Sequence, residues 1–203
     1  MFVDTISAPL TTRGAPSLGL SNNRSDLTVS VAPLYVPKTF AVLPQSYHPS
    51  VCSWVRSQEA LRLVSGDCGD CLTPEILRSW LASAHKCVAM LEHSTQSIVG
   101  FCTLSVKENS LLPSRHVEIC HVVIDQSLRH TSVCAKLVRA ARAQAYDDQF
   151  DAVCGRIVPS NEYMLAIARR VNFASVSEST GWALPGFRWF IYDLVCPMTD
   201  ART

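Results

Sequence analysis

Apolar positions along the chain alternate between the two-residue spacing of strands and the three- to four-residue spacing of helices. Residues 117–124, VEICHVVI, are mostly β-branched or apolar and predict a buried strand. A polar turn, residues 125–132, follows it, and apolar spacing then predicts a helix through Cys134, Leu137, Val138, Ala141 and Ala145. Because a strand–turn–helix leaves backbone N–H groups unpaired at the positive end of a helix dipole, residues 117–147 are typical of an anion-binding element.

Elements before this segment are predicted in the same way. Residues 38–44 predict a short strand that ends at Pro44, and two short helices are predicted within 48–57 and 57–66. Thr73-Pro74-Glu75 is a strong helix start, with Thr as N-cap, Pro in the first turn and an acid beside it. Two strands joined in a hairpin near residues 94–96 complete this half of the chain.

Elements after it continue the alternation of strand and helix. A strand closed by Pro159 precedes a helix capped by Ser160-Asn161, and two further strands are predicted within 173–179 and 186–195. The β-α-β-α-β part predicts parallel pairing through helical crossovers, whereas the hairpin and the last strand predict antiparallel pairs. The fold class is therefore α/β, of the α+β type, with a mixed sheet and helices on both faces.

Composition and charge narrow the range of partners. The chain is 48% hydrophobic, with a net charge of +1 and a pI of about 7.6. We expect no nucleic-acid partner, because no dense basic cluster occurs, and no membrane span, because no run of 18 apolar residues occurs. Residues 1–37 are rich in Ser, Thr and Pro and predict a disordered or loosely docked leader, with an organelle transit peptide as the alternative.

The nine cysteines indicate a reducing compartment. The number is odd, and Cys87, Cys102, Cys120 and Cys154 lie in apolar, strand-like runs, which is typical of buried free thiols. Cys68-Gly-Asp-Cys71 has C-x-x-C spacing, but a structural zinc site needs two further ligands, and the sequence has no second such pair. We therefore expect no metal and a cytoplasmic protein.

The order of elements from about Lys38 to Val195 resembles the GNAT-type N-acetyltransferase superfamily. The family motif R/Q-x-x-G-x-G/A between strand and helix corresponds here to Arg129-His130-Thr131-Ser132-Val133-Cys134, so this pyrophosphate loop is degenerate. In the longer form of that loop, three glycines are replaced by His130, Ser132 and Cys134. In the next signature, N-x-x-A-x-x-x-Y-x-x-x-G-F, Asn161 and Phe173 match, while Met164, Ala168 and Asn172 replace Ala, Tyr and Gly.

The resemblance implies an acyl-CoA N-acyltransferase fold, in which the sheet is mostly antiparallel with a parallel pair at strands 4 and 5. It predicts such a domain over residues 38–196, followed by a tail over 197–203. It implies acetyl-CoA as co-substrate, with its pyrophosphate on the loop, its thioester carbonyl on backbone N–H groups of strand 4, and pantetheine beside the fourth helix. The implied cofactor-binding residues are Val122, Val123, Ile124, Arg129, His130, Thr131, Ser132, Val133, Cys134 and Asn161.

Acetyl transfer to an amine also requires a base, because an ammonium ion is not nucleophilic. Glu118 and His121 are the candidates, although residues three apart point to opposite faces of a strand unless a bulge intervenes. In many family members a helix Tyr protonates the departing thiolate, and Ala168 occupies that position. The hypothesis is transfer of an acetyl group to a primary amine by direct attack; the alternative is a catalytically degenerate fold that acts as a CoA-binding or interaction module. The acceptor and the oligomeric state, with a homodimer as one option, stay open.

Overall fold

A computed structural model describes residues 33–65, 69–106, 115–175 and 188–193. Its strands are β1 Tyr35–Phe40, β2 Lys86–Glu92, β3 Ile98–Ser105, β4 His116–Ile124, β5 Ala152–Ile157, β6 Ala174–Ser175 and β7 Arg188–Asp193. Its α-helices are α1 His48–Ser53, α2 Gln58–Ser65, α3 Pro74–Ala82, α4 Val133–Asp147 and α5 Glu162–Arg170. None of the helices in this described part of the chain is long and apolar enough to cross a membrane.

The strands form one mixed sheet in the order β1-β2-β3-β4-β5-β7-β6. β4 and β5 are parallel, as a crossover through α4 requires, and the other neighbouring strands are antiparallel. The predicted fold class is confirmed, including the parallel pair at the fourth and fifth strands.

The helices cover both faces of the sheet and bury a separate apolar cluster on each. Residues of α4 and α5, among them Leu137 and Leu165, pack on one face, whereas residues of α1, α2 and α3, among them Leu61 and Trp80, pack on the other. The predicted helix start at Thr73 is confirmed, because its side chain accepts a hydrogen bond from the Ile76 N–H. Both apolar clusters meet at β4, the strand on which the candidate site lies.

The first strand differs from its prediction. It was expected over 38–44 but lies at Tyr35–Phe40, and Pro44 instead precedes a short 3₁₀ turn. The boundary is set by antiparallel pairing with β2, from Tyr35 opposite Glu92 to Phe40 opposite Cys87, which local periodicity does not encode. Residues 35–37 of the predicted leader therefore belong to the sheet; residues 1–32 and the predicted tail lie outside the described residues.

The described cysteines are free thiols. Burial raises the pKa of Cys87 and of Cys134 to about 11, and it raises the pKa of Cys102 as well, so these side chains are neutral near pH 7. Cys68 lies outside the described residues, so its C-x-x-C pair with Cys71 is not seen. No group of three potential metal ligands occurs within the described ranges.

One ion-pair cluster joins α4 to β2 and makes stability depend on pH. Asp148 accepts hydrogen bonds from Lys86 Nζ at 2.5 Å and Gln144 Nε2 at 3.0 Å, and it lies 3.2 Å from His85 Nε2. Burial alone would raise the pKa of this carboxyl, but the bonds from Lys86 and Gln144 outweigh burial and lower it. Because the pKa of Asp148 is lowered in the folded state, its ionised carboxylate stabilises the fold at pH values above about 4, the ordinary pKa of Asp. This contribution is lost as the pH falls below that value.

We therefore expect Asp148→Asn to lower the free energy of unfolding by about 1 kcal/mol at pH 7 and by much less at pH 3. Thermal melts of wild type and variant across this range measure the difference. Asp147→Asn, an exposed change at the neighbouring position, is the matched control. An equal loss of stability at both pH values would contradict the assignment.

Candidate functional site

A cleft opens where the two parallel strands separate. β4 pairs with β5 only from His116 opposite Ala152 to Glu118 opposite Cys154, and from there β5 continues along β7. A cavity of about 300 Å³ lies at this fork, lined by residues of β3, β4, β5, α2, α3, α4 and α5. Separation of two parallel strands exposes backbone and side chains of both strands to one ligand, so the fork is the candidate site.

A β-bulge on β4 brings both candidate bases into this cleft. The register with β3 shifts between Phe101 and Thr103, and His121 has a positive φ of 52°, which is uncommon outside glycine. The bulge changes the alternation of side chains after Cys120, so Glu118 and His121 both line the cavity despite their spacing of three. The condition stated from the sequence, that a bulge must intervene, is met.

Glu118 is buried against a cation. Its side chain is 3% exposed, and its carboxylate accepts two hydrogen bonds from Arg156 on β5, at 2.5 Å from Nε and 3.3 Å from the second guanidinium nitrogen. Burial alone would lower the pKa of Arg156, but its contacts with Glu118 outweigh burial and raise it. The pair places a fixed positive and a fixed negative charge at the fork of the strands.

His121 is held between two partners. Its Nδ1 lies 2.8 Å from the Thr103 hydroxyl on β3. Its ring stacks on the indole of Trp80 from α3, with ring centroids 4.2 Å apart and planes 7° apart. These contacts fix the ring orientation at the cleft wall, as a positioned proton acceptor requires.

The backbone after the bulge determines where N–H groups point. Asp125 N–H donates to the Val99 carbonyl at 3.0 Å, and alternation along a strand then directs the Ile124 N–H away from β3 and the Val123 N–H toward it. The side chains of Val123 and Ile124 are buried, and Val122 lines the cavity. The Ile124 N–H therefore faces the β5 side of β4.

The turn before α4 keeps the backbone form expected of an anion site. His130 has a φ of 69°, in the left-handed region where the resemblance implies glycine. The Thr131 hydroxyl donates to the Leu128 carbonyl at 2.6 Å and accepts from Val133 N–H at 3.3 Å, whereas Ser132, the N-cap residue, makes no capping bond with its side chain. Because the first N–H groups of a helix have no acceptor within it, this end of α4 can bind an anion.

Side chains around the turn fix it to neighbouring elements. Arg129 donates to the Trp54 carbonyl at 3.3 Å, and His130 makes an edge-on contact with the Tyr163 ring, with centroids 5.3 Å apart. The Tyr163 hydroxyl is buried beside the Cys134 thiol and makes no hydrogen bond of normal geometry to a described residue. Burial raises the pKa of Tyr163, so its hydroxyl stays protonated near pH 7. The turn lies outside the lining of the cavity.

Helix α5 forms the opposite wall of the cleft. Asn161 caps it by accepting a hydrogen bond from Met164 N–H at 3.1 Å, and Asn161 also lines the cavity. Ala168 lines the cavity at the position that the resemblance assigns to a tyrosine acid. No phenol is therefore supplied to the cleft at this position.

Several residues at the site were not predicted from the sequence. Arg156 was not identified. It lies two residues after Cys154, which pairs with Glu118 in the sheet, so the side chains of Arg156 and Cys154 lie on the same face of β5. Trp80 was not identified either, and its indole ring stacks on the ring of His121. Ser105 lies opposite Glu118 on β3 and Arg62 lies on α2, and only the folded chain brings them to the cleft.

The forked parallel pair, the bulge on β4 and the helix that starts beyond it define the acyl-CoA N-acyltransferase fold. The chain belongs to the acetyltransferase (GNAT) family, whose family model matches residues 50–173. No curated protein matches the chain significantly.

Solved structures agree with this fold. The GNAT domain of S. lividans PAT has a TM-score of 0.61 at 9% identity and covers 79% of this chain and 96% of that one. A GNAT-family acetyltransferase from Staphylococcus aureus has a TM-score of 0.53 at 12% identity, with coverage of 78% and 99%. The NatC complex bound to Gag peptide and CoA has a TM-score of 0.55 at 13% identity, with coverage of 78% and 98%. At such identities the likeness concerns the fold alone.

Proposed function

We propose that the protein transfers an acetyl group from acetyl-CoA to a primary amine by direct attack. The observation that carries this proposal is the cleft at the fork of β4 and β5, which has Glu118 and His121 on its wall. The amine nitrogen forms a bond to the thioester carbon, the C–S bond breaks, and the sulfur leaves with its electron pair. The proton of the amine passes to a base, directly or through water.

The residues around the turn fit the co-substrate. The N–H groups at the start of α4 would hold the pyrophosphate, and His130 has the left-handed backbone that the family's glycine would adopt at this position. The Ile124 N–H, directed to the β5 side, would polarise the thioester carbonyl, and Asn161 would contact pantetheine. The remaining proposed contacts come from Val122, Val123, Arg129, Thr131, Ser132, Val133 and Cys134.

The two candidate bases, Glu118 and His121, differ in the contacts that their side chains already make. Glu118 accepts two hydrogen bonds from Arg156, which occupy part of the acceptor capacity of its carboxylate. His121 has its Nδ1 beside Thr103 and its ring fixed by Trp80, and histidine is the side chain whose charge ordinarily changes near neutral pH. We propose that His121 accepts the proton and that Glu118 attracts the incoming ammonium group.

The proposed pyrophosphate site at the turn before α4 is tested by a substitution that affects stability and cofactor binding differently. We expect Ser132→Asp to leave stability unchanged or raise it by about 0.5 kcal/mol, because an acid at a helix N-terminus is favourable. The same carboxylate would repel a pyrophosphate, so we expect acetyl-CoA affinity to fall about tenfold or more. Calorimetric titration with acetyl-CoA and a thermal melt without it measure the two effects.

Ser132→Asn is the matched control, since it has nearly the same shape without the charge. We expect its acetyl-CoA affinity to stay within about threefold of wild type. If Ser132→Asp binds acetyl-CoA as tightly as Ser132→Asn does, the pyrophosphate does not lie at this turn. No binding by wild type at millimolar acetyl-CoA would reject the proposed function itself.

A second candidate is a degenerate fold that binds CoA or a protein without catalysis. It is favoured by Ala168, which gives the cleft no phenolic acid, and by the engagement of Glu118 with Arg156. Release of free thiol from acetyl-CoA in the presence of an amine panel separates the two candidates. Steady release that depends on the amine supports transfer, whereas binding without release supports the module.

A further inference from the structure

The cleft has two chemically different ends on opposite faces of the sheet. The end against α4 and α5 is mostly apolar: apart from Asn161, the N-cap of α5, it is lined by Val138, Met164, Ile167, Ala168 and Phe173. The end against α2 and α3 has apolar contacts from Leu63, Val64 and Trp80. It also has most of the polar lining residues, which are Arg62, Ser65, Ser79, Ser83, Ser105 and Glu118. The start of α4, where the proposed pyrophosphate site lies, belongs to the first face, so the acyl donor enters there and the acceptor occupies the polar end.

The polar end has an excess of positive charge. Glu118 and Arg156 neutralise each other, and Glu118 is the one acidic residue among the described residues that line the cleft. Arg62 is exposed on α2, lines the same cleft, and forms no ion pair with any residue of the described ranges. The acceptor end therefore favours a ligand that carries a negative group.

The floor of this end offers a second polar contact. Ser105 is 3% exposed, lies opposite Glu118 in the β3–β4 register, and lines the cavity. Its hydroxyl group can donate a hydrogen bond to a ligand or accept one from it. A cavity of about 300 Å³ is at the lower limit of volumes typical of small-molecule sites.

We infer that the acceptor is a small amine that also carries a carboxylate, such as a free amino acid. Its ammonium group lies beside Glu118 and Ser105, and its carboxylate pairs with Arg62 at the α2 side of the cleft. A purely cationic amine, such as a lysine side chain, meets an excess of like charge and gains nothing from Arg62. This inference rests on the proposed transferase function and specifies its substrate class.

The test compares a mixture of the free amino acids, without cysteine and proline, with the mixture of their primary amides, using acetyl-CoA and thiol detection. Cysteine is left out because its own thiol would be detected, and proline because it is not a primary amine. The acid-to-amide ratio is the rate with the free amino acids divided by the rate with their amides. Because amidation also changes the basicity of the amine, we compare this ratio between wild type and Arg62→Gln. We expect this ratio to fall about fivefold in Arg62→Gln, the size of an exposed charge contact. The wild-type ratio should also fall as salt is raised to about 1 M. Arg78→Gln, on α3 and outside the cleft lining, should leave the ratio unchanged.

A readout without turnover keeps the inference testable if the rates are low. In the presence of CoA, N-acetyl amino acids should shift the melting temperature of the wild type more than N-acetyl amino-acid amides do, and Arg62→Gln should remove the difference. Equal ratios and equal shifts in wild type and Arg62→Gln would overturn the inference, even if every amine is acetylated. Absence of acetyl-CoA binding and of thiol release with every amine would instead reject the transferase function, and the inference with it.

Discussion

Glu118→Ala is expected to lower the free energy of unfolding by about 3 kcal/mol. Removing one member of a buried ion pair leaves the other charge without its partner, which costs about 3 to 5 kcal/mol. The Arg156 side chain is 26% exposed, whereas that of Glu118 is 3% exposed, so solvent partly compensates the guanidinium that remains. We therefore place the expected loss at the lower end of this range, measured by chemical denaturation at pH 7.

Two comparisons determine whether the loss belongs to the pair. Glu75→Ala removes an exposed pair with Arg78, whose side chains are 70% and 64% exposed, and should cost far less stability than Glu118→Ala because solvent screens the pair. The double change Glu118→Leu with Arg156→Met replaces the pair by apolar groups and should recover most of the stability. A cost for Glu118→Ala no larger than that for Glu75→Ala would show that the pair does not stabilise the fold.

Local features of the chain were predictable because neighbouring residues determine them. The N-caps at Thr73 and Asn161 were identified from residue type and position, and each makes the expected side-chain bond. The parallel pair followed from the strand–helix–strand order around α4, because such a crossover has few topological solutions. Spacing, caps and connection order therefore specify the frame of the fold.

The chemistry of the cleft depends on contacts between residues distant in sequence. Arg156 meets Glu118 from 38 positions away. The stacking of Trp80 on His121 joins a helix to a bulge on a strand, and neither periodicity nor composition encodes it. The start of β1 at Tyr35 depends likewise on its pairing with β2. These features require the folded sheet, so sequence reasoning named both candidate bases but not their partners.

Two departures from the family motifs change residue type while keeping backbone conformation. His130 and Asn172 replace glycines of those motifs, yet their φ values are 69° and 65°, both left-handed. A side chain in this region costs about 1 to 2 kcal/mol, with Asn among the residues that tolerate it best. The turn and the end of α5 thus keep their shape without glycine, which is why the sequence departs from the motifs more than the fold does.

Ala168→Tyr is expected to raise the rate of acetyl transfer. Ala168 lines the cleft on α5, where the resemblance assigns the acid that protonates the departing thiolate. A positioned general acid contributes about 10²- to 10⁴-fold, and because the phenol must fit into a site built for alanine we expect about a tenfold gain in kcat. The added ring is also expected to cost about 1 to 3 kcal/mol of stability through overpacking.

Ala168→Phe is the matched control, because it adds the same ring without the hydroxyl and has a similar packing cost. The ratio of kcat between the Tyr and Phe variants, at saturating acetyl-CoA, isolates the contribution of the hydroxyl. Since only the protonated phenol can donate, the ratio should decline as the pH approaches about 10, the ordinary pKa of tyrosine. Equal rates for both variants would mean that protonation of the thiolate does not limit the reaction. The absence of a tyrosine at position 168 would then not slow turnover.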